Sequence, residues 1–226
     1  MAFDYTKNER IIMSIITGMS NITSIPVTIL VYRKNNIFTF CFALFSSITS
    51  VFYHVCESLD IIIFLPQLKW HELDNIGAIC SLNSLILVLT SYFPDLDKQD
   101  KLNYFSIFIA LIFQQKGPWD ILNTLYPIFL FLFIALYDIL KRGLPKFNRD
   151  ALYFGGSVSM IAIAMFVKGL DDGNDYLRIY HSLWHVSIGV SSFYLYQLQE
   201  SNIIHYINVM GDFFINAFNI VFKFKY

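Results

Sequence analysis

Long apolar segments separated by short polar loops recur along most of the chain, and they limit the folds that it can adopt. A helix needs about 20 mainly apolar residues to cross the hydrocarbon core of a membrane. Segments near that length lie at 11–32, 37–56, 74–93, 102–116, 119–140, 151–168 and 180–198. Only 15% of the residues are charged, too few to cover a water-facing surface. The pattern predicts an all-α integral membrane protein, a seven-transmembrane helix bundle over residues 1–198.

The tail, residues 199–226, is predicted to form a C-terminal amphipathic interfacial helix. A polar stripe with intervals of three or four residues is formed by His205, Asn208, Asp212, Asn216 and Asn219. On a helix these side chains share one face, and apolar residues occupy much of the rest. A helix that lies in the membrane interface has this pattern. As an eighth span, the same helix would turn its polar stripe toward lipid.

Lysine and arginine are unevenly divided between the two ends of the predicted spans, and this division predicts the orientation. With the N-terminus outside, the outer segments carry Lys7, Arg10, Lys69, Lys116, Lys168 and Arg178. The inner segments carry Arg33, Lys34, Lys98, Lys101, Lys141, Arg142, Lys146, Arg149, Lys223 and Lys225. Because basic residues favour the cytoplasmic side, the N-terminus is predicted to be outside or lumenal and the C-terminus cytoplasmic. The predicted location is the plasma membrane or a secretory-pathway membrane.

The net charge and the cysteines narrow the classes of partner. The formal net charge is −1, and the sequence has no basic tract, which argues against a nucleic-acid partner. Cys41, Cys56 and Cys80 lie in or at the ends of apolar runs, and their spacing matches no thiolate metal motif. Membrane lipids are the predicted partners, and pairing with a second copy of the chain stays open.

Three of the five histidines lie within or at the edge of predicted spans, where ionisable residues are costly and usually mark function. His54 ends the second span, and His181 and His185 open the seventh on one helix face. Spans three to six return the chain to the side on which the second span ends. The three imidazoles are therefore predicted at one depth, together with Asp74 at the start of the third span.

Three neutral imidazoles with an open fourth position are a common set of ligands for a catalytic zinc. Zn²⁺ is therefore the predicted cofactor, with His54, His181 and His185 as its ligands. Asp74 is predicted to act on the attacking water, and Ser50, one helical turn before His54, to stabilise the oxyanion. Taken singly, each residue has a structural alternative: the histidines and Ser50 as helix-packing residues, and Asp74 as a helix N-cap.

Other polar residues near the spans receive structural interpretations. His71 is predicted to be solvated in a long outer loop, 57–73. The sequon Asn21-Ile22-Thr23 lies inside the first span, where glycosylation cannot reach it. Pro26 and Pro127 are predicted to kink their spans, which neighbouring helices can accommodate.

Three short motifs carry a resemblance to a known group of membrane proteins. They are Ser50-Val51-Phe52-Tyr53-His54, Asp74-Asn75-Ile76-Gly77 and His181-Ser182-Leu183-Trp184-His185. In this order and spacing the chain resembles the CREST superfamily of seven-span metal-dependent hydrolases. Within that superfamily it looks most like the transmembrane-protein-8 and myomaker group. The resemblance covers nearly the whole chain in span order, and it implies a seven-span fold with a zinc site.

The resemblance does not decide the activity, because its branches differ. One branch includes a phospholipase of the A2 type that acts on GPI anchors and carries a large domain ahead of its spans. Myomaker, a muscle membrane-fusion protein, is similar to this chain in size. It lacks the serine that this chain keeps as Ser50, and its lipid-modified C-terminal cysteines have no counterpart after Cys80.

Three functions are consistent with the sequence. The first is a zinc-dependent hydrolase that acts on a lipid ester or amide, phospholipid or GPI-like, near the outer or lumenal leaflet. The second is a non-enzymatic, myomaker-like protein of cell fusion or membrane remodelling, in which zinc holds three helices together. The third is a seven-span receptor or transporter of another class, although the low charge within the spans argues against an ion pathway.

Overall fold

The computed structural model describes residues 3–34, 36–88, 90, 96–171 and 173–198, and these residues form eight α-helices. The helices are α1 (Lys7–Ser20), α2 (Ile25–Arg33), α3 (Ile37–Leu59), α4 (Gln67–Leu87), α5 (Leu96–Lys116), α6 (Ile121–Arg142), α7 (Arg149–Gly169) and α8 (Ile179–Leu195). Apart from one isolated β-bridge between Ile63 and Leu65, the described residues contain no β-structure. The prediction of an all-α fold is confirmed, while the tail 199–226 and its predicted helix lie outside the described residues.

Side chains just before the helices explain where several of them begin, because the first backbone N–H groups of a helix have no partner within it. Thr6 and Glu9 form a reciprocal capping box at the start of α1. Asn36, Asp120 and Asn148 accept hydrogen bonds from the first turns of α3, α6 and α7. The polar loops between the apolar segments thus fix helix boundaries close to those that the sequence predicts.

The end of α3 and the starts of α4 and α5 differ from the sequence-based prediction. α3 continues to Leu59 and α4 already begins at Gln67, so the outer loop between them is short. α5 begins at Leu96 rather than at residue 102 and has 21 residues. In both helices the first turns are polar, and a search for apolar runs therefore misses them.

The first apolar segment is one rod with a change of helix type in its middle. A 3-10 turn, Asn21–Ser24, joins α1 to α2. Pro26 follows this turn within the first positions of α2, where a proline is tolerated because the N–H that it lacks would have no helical partner. Pro127, in contrast, lies inside α6.

Four helical rods are long and apolar enough to cross a membrane. They are Lys7–Arg33, Ile37–Leu59, Ile121–Arg142 and Arg149–Gly169. Their outer faces carry large exposed apolar side chains, such as Leu140, which is 78% exposed, and Met160, which is 67% exposed. Buried positions of the other helices hold polar residues, such as Asn83 of α4 and Asn103 of α5. Lipid solvates such an apolar exterior, and the chain is therefore a membrane protein.

Two close helix contacts position the residues predicted to carry chemistry. α8 packs along α7 and against the 3-10 turn, and α4 packs along α3. A Cβ atom at Gly189 of α8 would lie 2.7 Å from Thr23 Oγ1, and one at Gly77 of α4 would lie 2.7 Å from Ser46 Cα. Both approaches require a glycine. They bring α8 to the turn that holds Asn21, and they bring α4 to α3.

Candidate metal centre

Three histidines meet between the end of α3 and the start of α8. The Nε2 atoms of His54 and His181 are 3.2 Å apart, those of His54 and His185 are 3.3 Å apart, and those of His181 and His185 are 3.0 Å apart. His54 and His185 are buried and His181 is half-buried. The predicted convergence of these residues on a group that could hold a metal ion is confirmed.

The triangle of nitrogens fits a metal ion better than it fits hydrogen bonds among the histidines. A neutral imidazole Nε2 either donates one proton or accepts one, so three such atoms facing one another cannot all be paired. Nitrogens bound to tetrahedral zinc at about 2.0–2.1 Å are about 3.3 Å apart. The observed separations lie close to that value. The donor set thus fits a zinc ion with one coordination position left for a further ligand.

Hydrogen bonds at the outer ring nitrogens hold two of the imidazoles in the orientation that metal binding requires. His54 Nδ1 lies 3.4 Å from Glu57 Oε2, and His185 Nδ1 lies 3.0 Å from Asn21 Oδ1. When Nδ1–H donates to these oxygens, the lone pair of Nε2 is directed into the triangle. Glu57 and Asn21 therefore fix the tautomer and the ring plane of two ligands.

Glu57 also joins the histidines to the segment that precedes α8. Its Oε1 atom accepts a hydrogen bond from Arg178 Nη2 at 2.6 Å and another from the Tyr53 hydroxyl at 2.8 Å. Both side chains of the Glu57–Arg178 ion pair are only 13% exposed, so solvent screens the pair less than it would at the surface. One carboxylate thus ties His54 of α3 to the turn that leads into His181.

The turn before α8 has an unusual backbone that its neighbours hold in place. Leu177 and Arg178 have φ values of +54° and +56°, a left-handed conformation that costs non-glycine residues about 1–2 kcal/mol each. The buried carboxylate of Asp175 accepts the N–H groups of Tyr180 and His181 at 2.8 and 3.0 Å. Asp175 therefore caps α8 and fixes the start of the helix that carries two of the three imidazoles.

The N-terminal segment supports the same turn from outside. The Tyr5 hydroxyl accepts the Leu177 N–H at 3.3 Å, and the Tyr176 hydroxyl donates to Glu9. The hydrogen bond to the Glu9 carboxylate raises the pKa of the Tyr176 phenol. The ring of Tyr176 also packs edge-on against Phe3, with centroids 5.2 Å apart. These contacts join the start of the chain to the turn that precedes the metal ligands.

Asp74 and Ser50, the residues predicted to act beside the metal, line a buried cavity with His185. The cavity has a volume of about 120 Å³. Asp74 lies inside α4, so it is not the N-cap of a helix. Ser50 lies near the Asp74 carboxylate, but its hydroxyl forms no well-shaped hydrogen bond to that carboxylate or to any other described residue. A buried hydroxyl without a partner is available to an incoming group.

A second, larger cavity reaches the histidines from the side of α6 and α7. Its volume is about 360 Å³, and His181, Arg178 and Asp74 line its polar end. Apolar residues of α6 and α7, among them Leu125 and Phe166, line the remainder. Asp74 borders both cavities and therefore lies between them.

His71 does not lie where the sequence suggested. The prediction of a solvated loop histidine is wrong, because α4 begins at Gln67 and carries His71 inward. The imidazole packs against the ring of Tyr53 at 4.6 Å and against that of Trp119 at 4.0 Å between centroids. It borders the larger cavity, but it is not part of the histidine triangle.

A family model described as a protein of unknown function (DUF3522) matches residues 9–186. The chain belongs to this family. The matched range reaches from α1 into α8 and contains Asn21, His54, Glu57, Asp74 and both histidines of α8. No curated protein matches the chain. The family description gives no activity.

Sequence reasoning missed four residues that shape the site, namely Asn21, Glu57, Asp175 and Arg178. A signal existed for Glu57, which follows His54 by three residues and shares its helix face once α3 continues past residue 56. For Asn21 the sequence suggested only a sequon that glycosylation cannot reach. The roles of Asp175 and Arg178 depend on the left-handed turn, which no apolar pattern reveals.

Proposed function

We propose that the protein is a zinc-dependent membrane hydrolase that cleaves an ester or amide bond of a phospholipid or GPI-like lipid near the outer or lumenal leaflet. The observation that carries this proposal is the triangle of Nε2 atoms, which adjoins two cavities that share Asp74. Zinc held by three imidazoles supplies a Lewis acid and makes water nucleophilic near neutral pH.

The residues around the triangle match the other requirements of hydrolysis. Asp74 borders both cavities, so its carboxylate can accept a proton from water that attacks a carbonyl in either of them. The Ser50 hydroxyl has no partner among the described residues, so it can donate to the oxygen on which negative charge develops. His54 and His185 keep their orientation through Glu57 and Asn21.

The larger cavity supports a lipid as the substrate. Its apolar walls come from α6 and α7, two of the rods that are apolar enough to lie in a membrane. An acyl chain between these helices would place its carbonyl near His181 and Asp74. The polar groups of Arg178 and Asn75 at the same end suit a headgroup.

The seven-span arrangement is part of this proposal. His54 near the end of α3 contacts His181 and His185 near the start of α8, so these helix ends lie at one end of the bundle. Four helices, α4 to α7, lie between them in the chain, and an even number of crossings returns the chain to one side. This supports seven crossings with the N-terminus outside and a C-terminal interfacial helix in a plasma or secretory-pathway membrane.

The proposed relationship to the CREST superfamily, and to its transmembrane-protein-8 and myomaker group, is supported by the positions of the motif residues. The residues that carry the resemblance come from three helices that are separate in the chain. Ser50, Asp74 and His185 nevertheless border one cavity. A shared zinc-dependent chemistry would explain why these residue types occur together.

A non-enzymatic role with structural zinc is the second candidate. The observation that favours it is that His54 and the two histidines of α8, with the Glu57–Arg178 ion pair, connect α3 to α8. A metal bound there would stabilise the bundle even without a substrate. In a protein of membrane fusion or remodelling, the ion would only have to stabilise the helix bundle.

A lipid-hydrolysis assay with variants that keep the metal distinguishes the hydrolase function from the structural role. The purified protein is added to vesicles that contain phosphatidylcholine, a GPI-anchored peptide or ceramide. Mass spectrometry measures the fatty acid that is released from each substrate. For a hydrolase, Asp74→Asn lowers turnover about 10²–10⁴-fold and Ser50→Ala about 10²-fold, while both variants retain zinc. His185→Ala abolishes both zinc and turnover. Zinc-loaded wild type without turnover of any of these lipids would favour the structural role.

A further inference from the structure

The smaller cavity has a mainly apolar wall in which residues with hydroxyl groups recur along its length. It lies between the 3-10 turn, α3, α4 and α8, and six serines together with Thr39 and Tyr196 border it. Asn21, Asp74 and His185 form its end at the metal centre. A cavity within a membrane protein that served only helix packing would be expected to be filled by apolar side chains.

The cavity extends far from the metal centre. His185 and Tyr196, the residue that follows α8, both border it, and a separation of eleven positions along a helix corresponds to about 16 Å. Thr39 and Ser50 span a similar distance on α3. The cavity therefore covers about half of a hydrocarbon core that is about 30 Å thick.

Several of the hydroxyl groups form no hydrogen bond of good geometry with the described residues. Ser50 Oγ, Ser81 Oγ and Tyr196 Oη are such groups, and all three residues border the cavity. Ser50 lies near Asp74, and Tyr196 lies near Ser84 and Thr39. Buried hydroxyl groups in proteins are almost always paired, with protein or with ordered water. A volume of about 120 Å³ has room for about four water molecules. Water is thus the ligand that fits both the space and the unpaired groups.

The far end of the cavity lies beside a basic residue. The Lys34 ammonium donates to the carbonyl oxygen of Tyr196. A lysine side chain at the end of a membrane helix reaches toward the water interface. The end marked by Tyr196 is therefore the end nearest to water on the side opposite the histidines.

We propose that this cavity holds a chain of water molecules and delivers water to the metal centre from the membrane face opposite the histidines. The delivery role rests on the proposed hydrolase function, whereas the presence of the water chain does not. An acyl chain in the larger cavity would block water from that side, so lipid and water would arrive by separate routes. Asp74, which borders both cavities, lies where these routes meet.

The water chain is tested by the reactivity of single cysteines. Cys41, Cys56 and Cys80 are replaced by alanine, and Ser46→Cys or Ser192→Cys places a thiol on the cavity wall. Ile48→Cys, on the same helix as Ser46 but 46% exposed on the lipid side, is the matched control. Each variant in sealed vesicles is treated with 2-aminoethyl methanethiosulfonate on one side, with free cysteine as a trap on the other, and modification is measured by mass spectrometry.

Because the reagent reacts with the thiolate, which forms in water, we expect both cavity thiols to react at least about tenfold faster than the control. Reaction should occur from the side opposite the histidines. Cavity thiols no faster than the control would overturn the water chain, and reaction only from the histidine side would overturn its direction. Zinc content, measured on every variant, confirms that the site is folded.

The delivery role is tested separately with Ser81→Val, which removes a hydroxyl without a hydrogen bond from the cavity wall. We expect zinc content to be unchanged, labelling of Ser192→Cys to slow at least about tenfold, and lipid turnover to fall with it. Slower labelling with unchanged turnover would overturn the delivery role alone. If the wild type hydrolyses no lipid, the proposed hydrolase function and the delivery role both fail, and the labelling result still decides whether water is present.

Discussion

Two buried polar clusters lie in this bundle, and they differ in whether the groups that face one another are of unlike or of identical type. Along the seam between α4 and α5, amides, hydroxyls and carboxylates form complementary pairs. Asn83 donates to Ser106 at 2.8 Å and Asn75 donates to Gln114 at 2.9 Å. At the histidine centre, three identical nitrogens face each other. Some seam atoms, such as Asn83 Oδ1 and the side-chain amide of Asn103, keep no partner among the described residues, but the contacts that do form there join unlike groups. The three nitrogens of the second cluster cannot all pair with one another and could hold a metal ion.

This difference separates two uses of polar residues inside a membrane. Complementary pairs hold helices together, and each contributes on average about 0.6 kcal/mol. A set of identical imidazole nitrogens that face one another contributes little to helix packing and is costly to bury. Such a set therefore indicates a ligand that binds all of them. The residue types alone do not distinguish the two cases, since asparagine serves the seam as Asn83 and the metal centre as Asn21.

The largest expected effect is the loss of zinc when the histidine cluster is removed. We expect about one zinc per chain in detergent-purified wild type and none in His181→Ala/His185→Ala, because a single remaining imidazole cannot hold the ion. Metal analysis by inductively coupled plasma mass spectrometry measures this directly. His71→Ala is the matched control and should retain zinc. A well-folded wild type without any metal would reduce the three histidines to packing residues.

An intermediate effect comes from a pair of glutamates, one in each cluster. Glu57→Gln should raise the Kd for zinc about 10–100-fold, because the amide holds His54 Nδ1–H less strongly and no longer pairs with Arg178. Glu72→Gln, which alters the seam through Gln115, should leave the Kd within about twofold. Competition with a zinc-sensitive dye compares the two. Equal effects would mean that Glu57 acts only on general stability.

The smallest effect concerns the seam alone. Asn83→Leu removes the hydrogen bond to Ser106 and should lower the free energy of unfolding by about 1 kcal/mol, with zinc content unchanged. Chemical denaturation in mixed micelles, with and without a chelator, measures both quantities. A loss of zinc in this variant would show that the two clusters are coupled.

The sequence predicted those features that depend on apolar runs and helix register. The helices over the seven apolar segments follow from the length of the runs, and the meeting of His54 with His181 and His185 follows from counting helices. Asp74 and Ser50 line one cavity with His185, at the similar depth that helical spacing predicts, and their roles stay predictions.

The remaining features depend on contacts that the pattern does not encode. His71 was misplaced because the first turn of α4 is polar and was interpreted as a loop. Asn21 reaches His185 only because Gly189 lets α8 approach the 3-10 turn. Arg178 reaches Glu57 only from a left-handed turn, a conformation that a search for apolar periodicity does not reveal.

The hydrogen bonds that Tyr5 and Glu9 accept from the turn before α8 have a practical consequence for anyone who modifies this chain. The turn holds Arg178 against Glu57, which orients His54, so a change at the start of the chain can be transmitted to the histidine triangle. A fusion partner or affinity tag joined to the first residues would strain this connection. Tags for metal measurements are therefore better placed away from that end, and a weakened site in an N-terminally tagged protein would report on the tag.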